Sequence, residues 1–149
     1  MDSNKIAGFF LNGWYVFDNF AAFQIKWHGK LYPTSEHAYQ AAHFIDTNPE
    51  LAEEVRTCRS PRAASDLANK NIQYDDPEWN SKRLQVMEEI IRCKVGQHVY
   101  IQKILVESGS KIIVEMNDGD SFWGWGKDHK GENQLGNIWM KVREDLITN

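Results

Sequence analysis

One short stretch of the sequence, residues 33–44, brings together side chains that can do acid–base chemistry. Its glutamate, glutamine and histidine stand at positions i, i+4 and i+7, as Glu36, Gln40 and His43. On an α-helix this spacing places a carboxylate, an amide and an imidazole along one face. Carboxylates and imidazoles can move protons, and all three groups can bind a polar ligand. This stretch is therefore the first candidate for a functional site.

A second unusual stretch, residues 117–126, sets carboxylates beside tryptophans and glycines. In a functional interpretation, one of its aspartates partners Glu36 and a tryptophan stacks on a planar base. In a plainer interpretation, Asp and Gly only make turns. The following residues, 124–133, have two interpretations as well. In the first, an anion binds to the glycine backbone and the helix start, with positive charge added by Lys127 and Lys130. In the second, the segment is a surface turn.

A helical glutamate, a loop aspartate and several tryptophans together suit cleavage of a bond between a ribose and a base. Such cleavage develops positive charge on ribose C1, which carboxylates stabilise, while an acid assists the departing nitrogen. Alternatively, a lysine of lowered pKa could attack C1 as an amine and pass through a Schiff base. The aromatic side chains would hold the base.

Three other candidates have ordinary structural interpretations. His37 fits a buried, hydrogen-bonded histidine, and Trp79 by itself fits a core residue. Lys94 fits a favourable charge near the C-terminal end of a helix. Because His37 and His43 are six residues apart and no HExxH pair is present, no metal site is predicted, and no cofactor is expected.

The elements that must position these residues indicate an α+β fold that is predominantly helical, with a few short strands. Thr34 or Ser35 can cap the helix that carries Glu36, and Asn48-Pro49 should end it. A hairpin is expected over residues 23–32. Further helices are predicted over 50–56, from Pro61 with Ser60 as cap, over 80–94, over 100–107 and from Asn133, with a strand over 111–116. The 80–94 helix should bury Leu84, Met87, Ile90 and Ile91, with Trp79 ending the loop before it.

The composition predicts one ordinary globular domain over residues 1–149. The chain has 42% hydrophobic residues, six Trp and a net charge of −4 without a basic run, which argues against binding along a nucleic-acid backbone. Cys58 and Cys93 follow no disulfide or metal spacing, so we expect reduced thiols, each on a helix. Without a signal-peptide pattern or an apolar run near the ~20 residues that cross a bilayer, we expect a soluble, cytoplasmic protein with no membrane partner.

Several separate motifs resemble those of the YbiA-like, or NADAR, family. Residues 33–41 are similar to the family signature PTSEHYFQA. The family ending DxxWG…GxNxLGxxLMxxRxxL is similar to Asp120-Ser121-Phe122-Trp123-Gly124 with Gly131, Asn133, Leu135-Gly136, Met140 and 143–146. Between them, matches in order and approximate spacing are Ser60-Pro61, Ala63-Ala64, Trp79, Met87 and Lys94. The resemblance covers about residues 13–147.

The resemblance implies a mainly helical single domain that acts on N-glycosidic bonds of ribosylated compounds, with Glu36, Trp79 and Asp120 around the substrate. Two activities are attributed to the family. One hydrolyses phosphoribosylamino-pyrimidine intermediates of riboflavin synthesis, and the other removes ADP-ribose from modified guanine. Many members have Lys-Phe where this chain has His43-Phe44. A role tied to that lysine is therefore not carried over to this position, and Lys94 becomes the better candidate for an amine nucleophile.

These considerations favour a hydrolase that releases ADP-ribose from ADP-ribosylated guanine, free or in a nucleic acid gripped at its modification. The alternatives are an N-glycosidase of phosphoribosylated riboflavin intermediates and a non-catalytic module that binds ADP-ribose or NAD. The expected catalytic residues are Glu36, Asp120 and Lys94. The expected substrate-binding residues are Trp79, Trp123, Gln40, His37, His43, Gly124, Asn133 and Gly136. The sequence makes no prediction of oligomeric state.

Overall fold

The computed structural model describes residues 3–11 and 13–149, and in these ranges it contains six α-helices and four short strands. The helices are α1 (Ser35–Ala42), α2 (Pro49–Arg56), α3 (Pro61–Asn69), α4 (Trp79–Gln97), α5 (Val99–Glu107) and α6 (Gln134–Thr148). The strands are β1 (Ile6–Gly8), β2 (Ile25–Trp27), β3 (Lys30–Tyr32) and β4 (Ile112–Val114). The predicted α+β class, predominantly helical, is confirmed.

The chain divides into two compact units. One is the continuous segment Asn19–Gln97, and the other joins the described residues up to Asp18 with the segment His98–Asn149. That the whole chain behaves as a single domain over residues 1–149 stays a prediction.

In the unit Asn19–Gln97, the helix α1 packs against α2, α3 and α4. Side-chain caps set the starts of the first three helices. The caps at Thr34 and Ser60 were predicted, whereas Asn48 was expected only to end the preceding helix. The side-chain oxygens of Thr34, Asn48 and Ser60 accept the backbone N–H three residues further on. Prolines stand in the first turn of α2 and α3, where the missing N–H costs nothing.

The hairpin β2–β3 is antiparallel, with Ile25 opposite Tyr32 and Trp27 opposite Lys30. The turn between the strands has positive φ at His28 (49°) and Gly29 (78°), which is the turn geometry that suits strand twist. The Gln97 side-chain amide holds the hairpin to the end of α4. Its Oε1 accepts the Lys26 backbone N–H at 2.7 Å, and its Nε2 donates to the Lys26 carbonyl at 2.8 Å.

Four local predictions about this unit are wrong. The helix α1 ends at Ala42, because the chain turns at His43 and buries Phe44 completely. Trp79 begins α4 rather than ending a loop. Leu84 was expected to be buried but is 41% exposed. Periodicity predicts which face of α4 is apolar, but not which part of that face other elements cover. Cys58 lies just after α2, not on a helix, and only Cys93 is helical.

In the other unit, β1 pairs in parallel with β4, with Ile6 opposite Ile112, and α6 packs on β4. The strand β4 confirms the predicted strand in a shorter form. The equally short β1 was not predicted, because its sequence Ile-Ala-Gly lacks the run of β-branched residues that marks β4. The fully buried Trp139 ties α6 to the N-terminal segment. Its indole N–H donates to the Phe17 carbonyl at 3.1 Å, and the two rings lie 4.8 Å apart.

Within the described ranges, no helix combines the length and the apolar character that crossing a bilayer requires.

Candidate active site

The polar face predicted on α1 is present, and its first two members are hydrogen-bonded to each other. Gln40 Nε2 donates to Glu36 Oε1 at 2.8 Å, and the two residues are only 9% and 8% exposed. A buried carboxylate is costly unless its oxygens accept hydrogen bonds. The Gln40 amide meets part of that requirement and fixes the orientation of the Glu36 carboxylate.

Asn19 holds the start of α1, where Glu36 stands. The Glu36 backbone N–H donates to the Asn19 carbonyl at 3.1 Å, and Ser35 Oγ donates to Asn19 Oδ1 at 3.0 Å. The N-terminal end of a helix stabilises negative charge, so the position of Glu36 in the first turn favours a carboxylate there. Asn19 is a residue of the site that the sequence analysis missed, and its single amide gave no signal.

His43, the third member of this face, lies in a cluster of aromatic rings at the C-terminal end of α1. Its imidazole lies 4.0 Å from the Trp79 ring at an angle of 32° and meets the Tyr39 ring edge-on at 5.3 Å. Its Nδ1 lies 3.2 Å from Asp75 Oδ1. Burial lowers the pKa of His43, although the Asp75 carboxylate opposes that shift. The neutral imidazole therefore donates from Nδ1 to Asp75.

His37 points away from this face and is anchored through both ring nitrogens. Its Nε2 donates to the Cys58 carbonyl at 2.8 Å, so its Nδ1 accepts the Thr34 hydroxyl at 2.8 Å. Burial lowers the pKa of His37, and the bond to Cys58 opposes this. His37 thus joins α1 to the end of α2. A substrate contact by His37 stays a prediction, and both nitrogens are already engaged.

Lys94 lies in the last turn of α4 and is completely buried. This burial does not fit its interpretation as a simple surface charge near the helix end. Its Nζ lies 5.6 Å from the centre of the Phe23 ring. Met87, two turns earlier on the same face, accepts a long hydrogen bond of 3.5 Å from Asn19 Nδ2. The segment from Asn19 to Phe23 therefore contacts both the start of α1 at Glu36 and the face of α4 that carries Lys94.

In the other unit, Asp120 organises the loop between β4 and α6. Its Oδ1 accepts the backbone N–H groups of Phe122 at 2.9 Å and Trp123 at 2.8 Å. Trp123 meets Phe122 edge-on at 4.8 Å and is partly exposed. The carboxylate thus shapes the loop that presents Trp123, and it remains partly accessible.

Asn133 connects this loop with β4. It stands at the N-cap position of α6 as expected, but with φ of 50° and no side-chain bond to that helix. Its Nδ2 donates to the Ile113 carbonyl at 2.8 Å, and its Oδ1 accepts the Glu115 N–H at 2.9 Å. Gly136 has no room for a side chain, because a Cβ would collide with the Ile113 carbonyl. A Cβ on Gly124 would meet three backbone carbonyl oxygens in the same way.

The start of α6 is closed by the loop that precedes it. The N–H groups of Asn133, Gln134 and Leu135 donate to the carbonyls of Gly124, Phe122 and Trp123 at 2.9 to 3.1 Å. These are donors that an anion site at this helix start would use. The structure therefore favours the turn interpretation of residues 124–133.

The expected site residues fall into two groups. The first lies along α1 and α4, which pack together, and consists of Glu36, Gln40, His43, Trp79 and Lys94. Within it His43 contacts Trp79, whereas Lys94 lies at the opposite end of α4, about 22 Å along the helix axis from Trp79. The second group shares the loop before α6 and its first turn, and consists of Asp120, Trp123, Gly124, Asn133 and Gly136. That Glu36 and Asp120 face each other across a sugar-sized gap stays a prediction. Asp75 was missed, although its place before Asp76-Pro77 marked a loop.

Comparison with known proteins gives consistent matches. The model of the NADAR domain family matches residues 2–147. The chain is 38% identical over 130 residues to N-glycosidase YbiA of Escherichia coli strain K12, covering 87% of this chain and 80% of that protein. It is 36% identical over 128 residues to riboflavin biosynthesis protein VVA0006 of Vibrio vulnificus, covering 86% of this chain and 34% of that longer protein.

A solved structure has the same fold. The NMR structure of E. coli YbiA superposes with a TM-score of 0.85 at 34% sequence identity, over 99% of this chain and 88% of that one. The family match spans nearly the whole sequence, and the relative in E. coli is covered over most of its length. The chain belongs to the NADAR domain family.

Proposed function

We propose that this protein is an N-glycosidase that hydrolyses the bond between ribose C1 and a base nitrogen. The observation that carries the proposal is the buried Glu36 carboxylate, oriented by Gln40 at the start of α1. A relative that covers most of this chain is named an N-glycosidase, which supports the same reaction class. Water supplies the group that bonds to C1, and the base leaves with the electron pair of the broken bond and a proton.

Each group of site residues has a role in this reaction. Glu36 orients or deprotonates the attacking water or a ribose hydroxyl. Asp120 stabilises the positive charge that develops at C1 or holds a ribose hydroxyl. Trp79 and Trp123 stack on the base. His43 already covers part of one face of Trp79, so the base must use the opposite side or lie beside the imidazole on the same face.

The complete burial of Lys94 limits the roles that its amine can have in the reaction. An amine that attacks C1 must touch the sugar, whereas Lys94 has no solvent-accessible surface. We therefore propose that Lys94 does not bond to C1 and that water is the nucleophile. Treating the reacting enzyme with borohydride tests this assignment, since it would reduce a Lys94 Schiff base to a stable adduct detectable by mass spectrometry. An adduct on Lys94 would overturn it, and its absence during measurable turnover supports it.

ADP-ribosylated guanine is the substrate that we propose, and a phosphoribosylamino-pyrimidine is the second candidate. The second is favoured by the relative from V. vulnificus, which is named a riboflavin biosynthesis protein. Both compounds are ribosylated bases, and both reactions break a bond at ribose C1. The two proposals therefore share the site and differ in the base.

Supplying both compounds separately to the purified protein tests the function directly. Chromatography should show ADP-ribose and the guanine nucleotide as products, and faster turnover of the pyrimidine compound would favour the second candidate. The Glu36→Gln variant should release neither product. Tight binding without product in the unmodified protein would instead indicate a binding module and contradict the proposal.

A further inference from the structure

The aromatic cluster at the end of α1 contains one polar atom without a partner. His43 Nε2 is shielded from solvent and makes no hydrogen bond within the described part of the chain. Buried polar atoms are nearly always hydrogen-bonded, because an unsatisfied one has lost its hydrogen bond to water without a replacement. This atom therefore requires an explanation in terms of what it binds.

Contacts on several sides hold the imidazole in place. Asp75 Oδ1 lies 3.2 Å from Nδ1, and the Asp76 backbone N–H donates to the His43 carbonyl at 3.0 Å. Trp79 covers one face of the ring at 4.0 Å, and Tyr39 stands edge-on to it. His43 thus has a fixed position and a fixed orientation, as expected of a side chain that recognises a ligand through a hydrogen bond.

Asp75 is also the carboxylate that decides which nitrogen carries the proton. Its neighbour Asp76 is committed elsewhere, because it pairs with Lys82 at 2.7 Å and accepts the Glu78 N–H at 2.9 Å. A carboxylate accepts hydrogen bonds and cannot donate them, so Nδ1 must be the protonated nitrogen. In the neutral ring, Nε2 then carries a lone pair and can only accept.

We propose that Asp75 is a positioning residue of the site. It holds His43 so that Nε2 accepts a hydrogen bond from an N–H group of the substrate's base stacked at Trp79. This inference rests on the proposed function and adds to it a preference for bases that present a donor at this edge. The His43 side chain is 15% exposed, but Nε2 itself is closed to solvent in the free protein, so the base reaches it only when a neighbouring side chain shifts. The arriving donor then satisfies the atom without displacing a water molecule.

The first experiment observes the imidazole directly. In ¹⁵N NMR spectra of the Glu36→Gln variant, which should bind without turnover, His43 should show a protonated Nδ1 and an unprotonated Nε2. Adding ADP-ribosylated guanosine nucleotide should shift the Nε2 resonance as expected for an atom that begins to accept a hydrogen bond. A protonated Nε2 in the free protein, or an Nε2 resonance unchanged at saturating ligand, would overturn the inference.

The second experiment separates positioning from simple packing. Asp75→Asn removes the charge that fixes the tautomer, and His43→Phe keeps a flat ring against Trp79 but removes both nitrogens. Each should raise KM about tenfold, the effect of one lost hydrogen bond, with kcat much less changed. Asp75→Glu keeps the carboxylate and should recover most of the loss. Asp66→Asn, an exposed aspartate on α3, is the matched control.

The outcomes distinguish this inference from the proposed function. If the unmodified enzyme hydrolyses its substrate while all three variants keep its KM, Asp75 has no positioning role and the N-glycosidase assignment stands. If the unmodified protein hydrolyses neither candidate, the proposed function fails, and the NMR titration still decides whether His43 Nε2 accepts from the ligand.

Discussion

Gln40 Nε2 donates to Glu36 Oε1 at 2.8 Å, one helical turn away, and both side chains are buried. This bond can survive the replacement of Glu36 by glutamine, because a glutamine side chain still offers a carbonyl oxygen in the same place. The variant Glu36→Gln therefore removes a charge and a proton acceptor without removing the contact that orients the side chain.

We expect Glu36→Gln to lower kcat by at least about 100-fold, the lower end of what general acid–base catalysis contributes, while substrate binding remains largely intact. Product release followed by chromatography measures the first quantity, and calorimetric titration with substrate measures the second. The exposed Glu54 on α2 provides the matched control, since Glu54→Gln should change neither. Full activity of Glu36→Gln would refute the assignment of Glu36.

Asp120 has two separable roles, and two substitutions distinguish them. Asp120→Asn retains an oxygen that can accept the N–H groups of Phe122 and Trp123, whereas Asp120→Ala retains neither oxygen nor charge. We expect Asn to abolish most activity at nearly unchanged Tm. Ala should in addition lower stability by about 1 kcal/mol, as for a lost helix cap. Activity of Asp120→Asn equal to that of the unmodified enzyme would show that the carboxylate only shapes the loop.

Gly136 and Gly96 form a matched pair of helical glycines for a stability test. A Cβ at Gly136 would collide with the Ile113 carbonyl and with the Asn133 side chain, so Gly136→Ala must push α6 from β4. We expect a loss of about 1–3 kcal/mol, as for other overpacked sites. A Cβ at Gly96 meets nothing within 4 Å, and Gly96→Ala should stabilise α4 by up to about 1 kcal/mol. Denaturation by urea measures both, and equal effects would contradict the packing argument.

Local sequence signals were sufficient for the starts of α1 and α3 and for the hairpin turn. Thr34 and Ser60 cap their helices through neighbours three residues away, and His28-Gly29 makes its turn without help from the rest of the chain. Asn48 caps α2 in the same way, although it was expected only to end α1. Such features depend on residues close in sequence, so a pattern can reveal them. The polar face of Glu36, Gln40 and His43 was predictable for the same reason.

Features that depend on distant residues were not predictable. Nothing around Leu84 shows that its part of α4 lies open, and nothing around Asp75 shows that it meets His43, which is 32 residues away. Asn133 was expected to cap α6, but its side chain reaches back to β4, 20 residues earlier. Long-range contacts of single polar side chains leave no periodic trace in the sequence.

The pH dependence of stability follows from the pKa of His37. Burial lowers this pKa below the ordinary value of 6.5, while the hydrogen bond to Cys58 opposes the shift. Between the lowered value and 6.5, the unfolded chain binds a proton that the folded chain does not. Since stability rises with pH wherever the unfolded state binds more protons, the free energy of unfolding should fall on acidification through this window. His43, whose pKa burial also lowers, contributes with the same sign.

Urea denaturation between about pH 5 and 7 measures this dependence, and this range lies above the acid transition of Glu53. The hydrogen bonds from Arg56 and Lys30 lower the pKa of Glu53 from 4.5 to about 2, so its contribution to stability is lost only below that range. In His37→Gln the slope should decrease, because glutamine can still donate to the Cys58 carbonyl but does not titrate. A slope that is unchanged in this variant, or a protein that gains stability on acidification in this range, would contradict the neutral, doubly hydrogen-bonded state of His37.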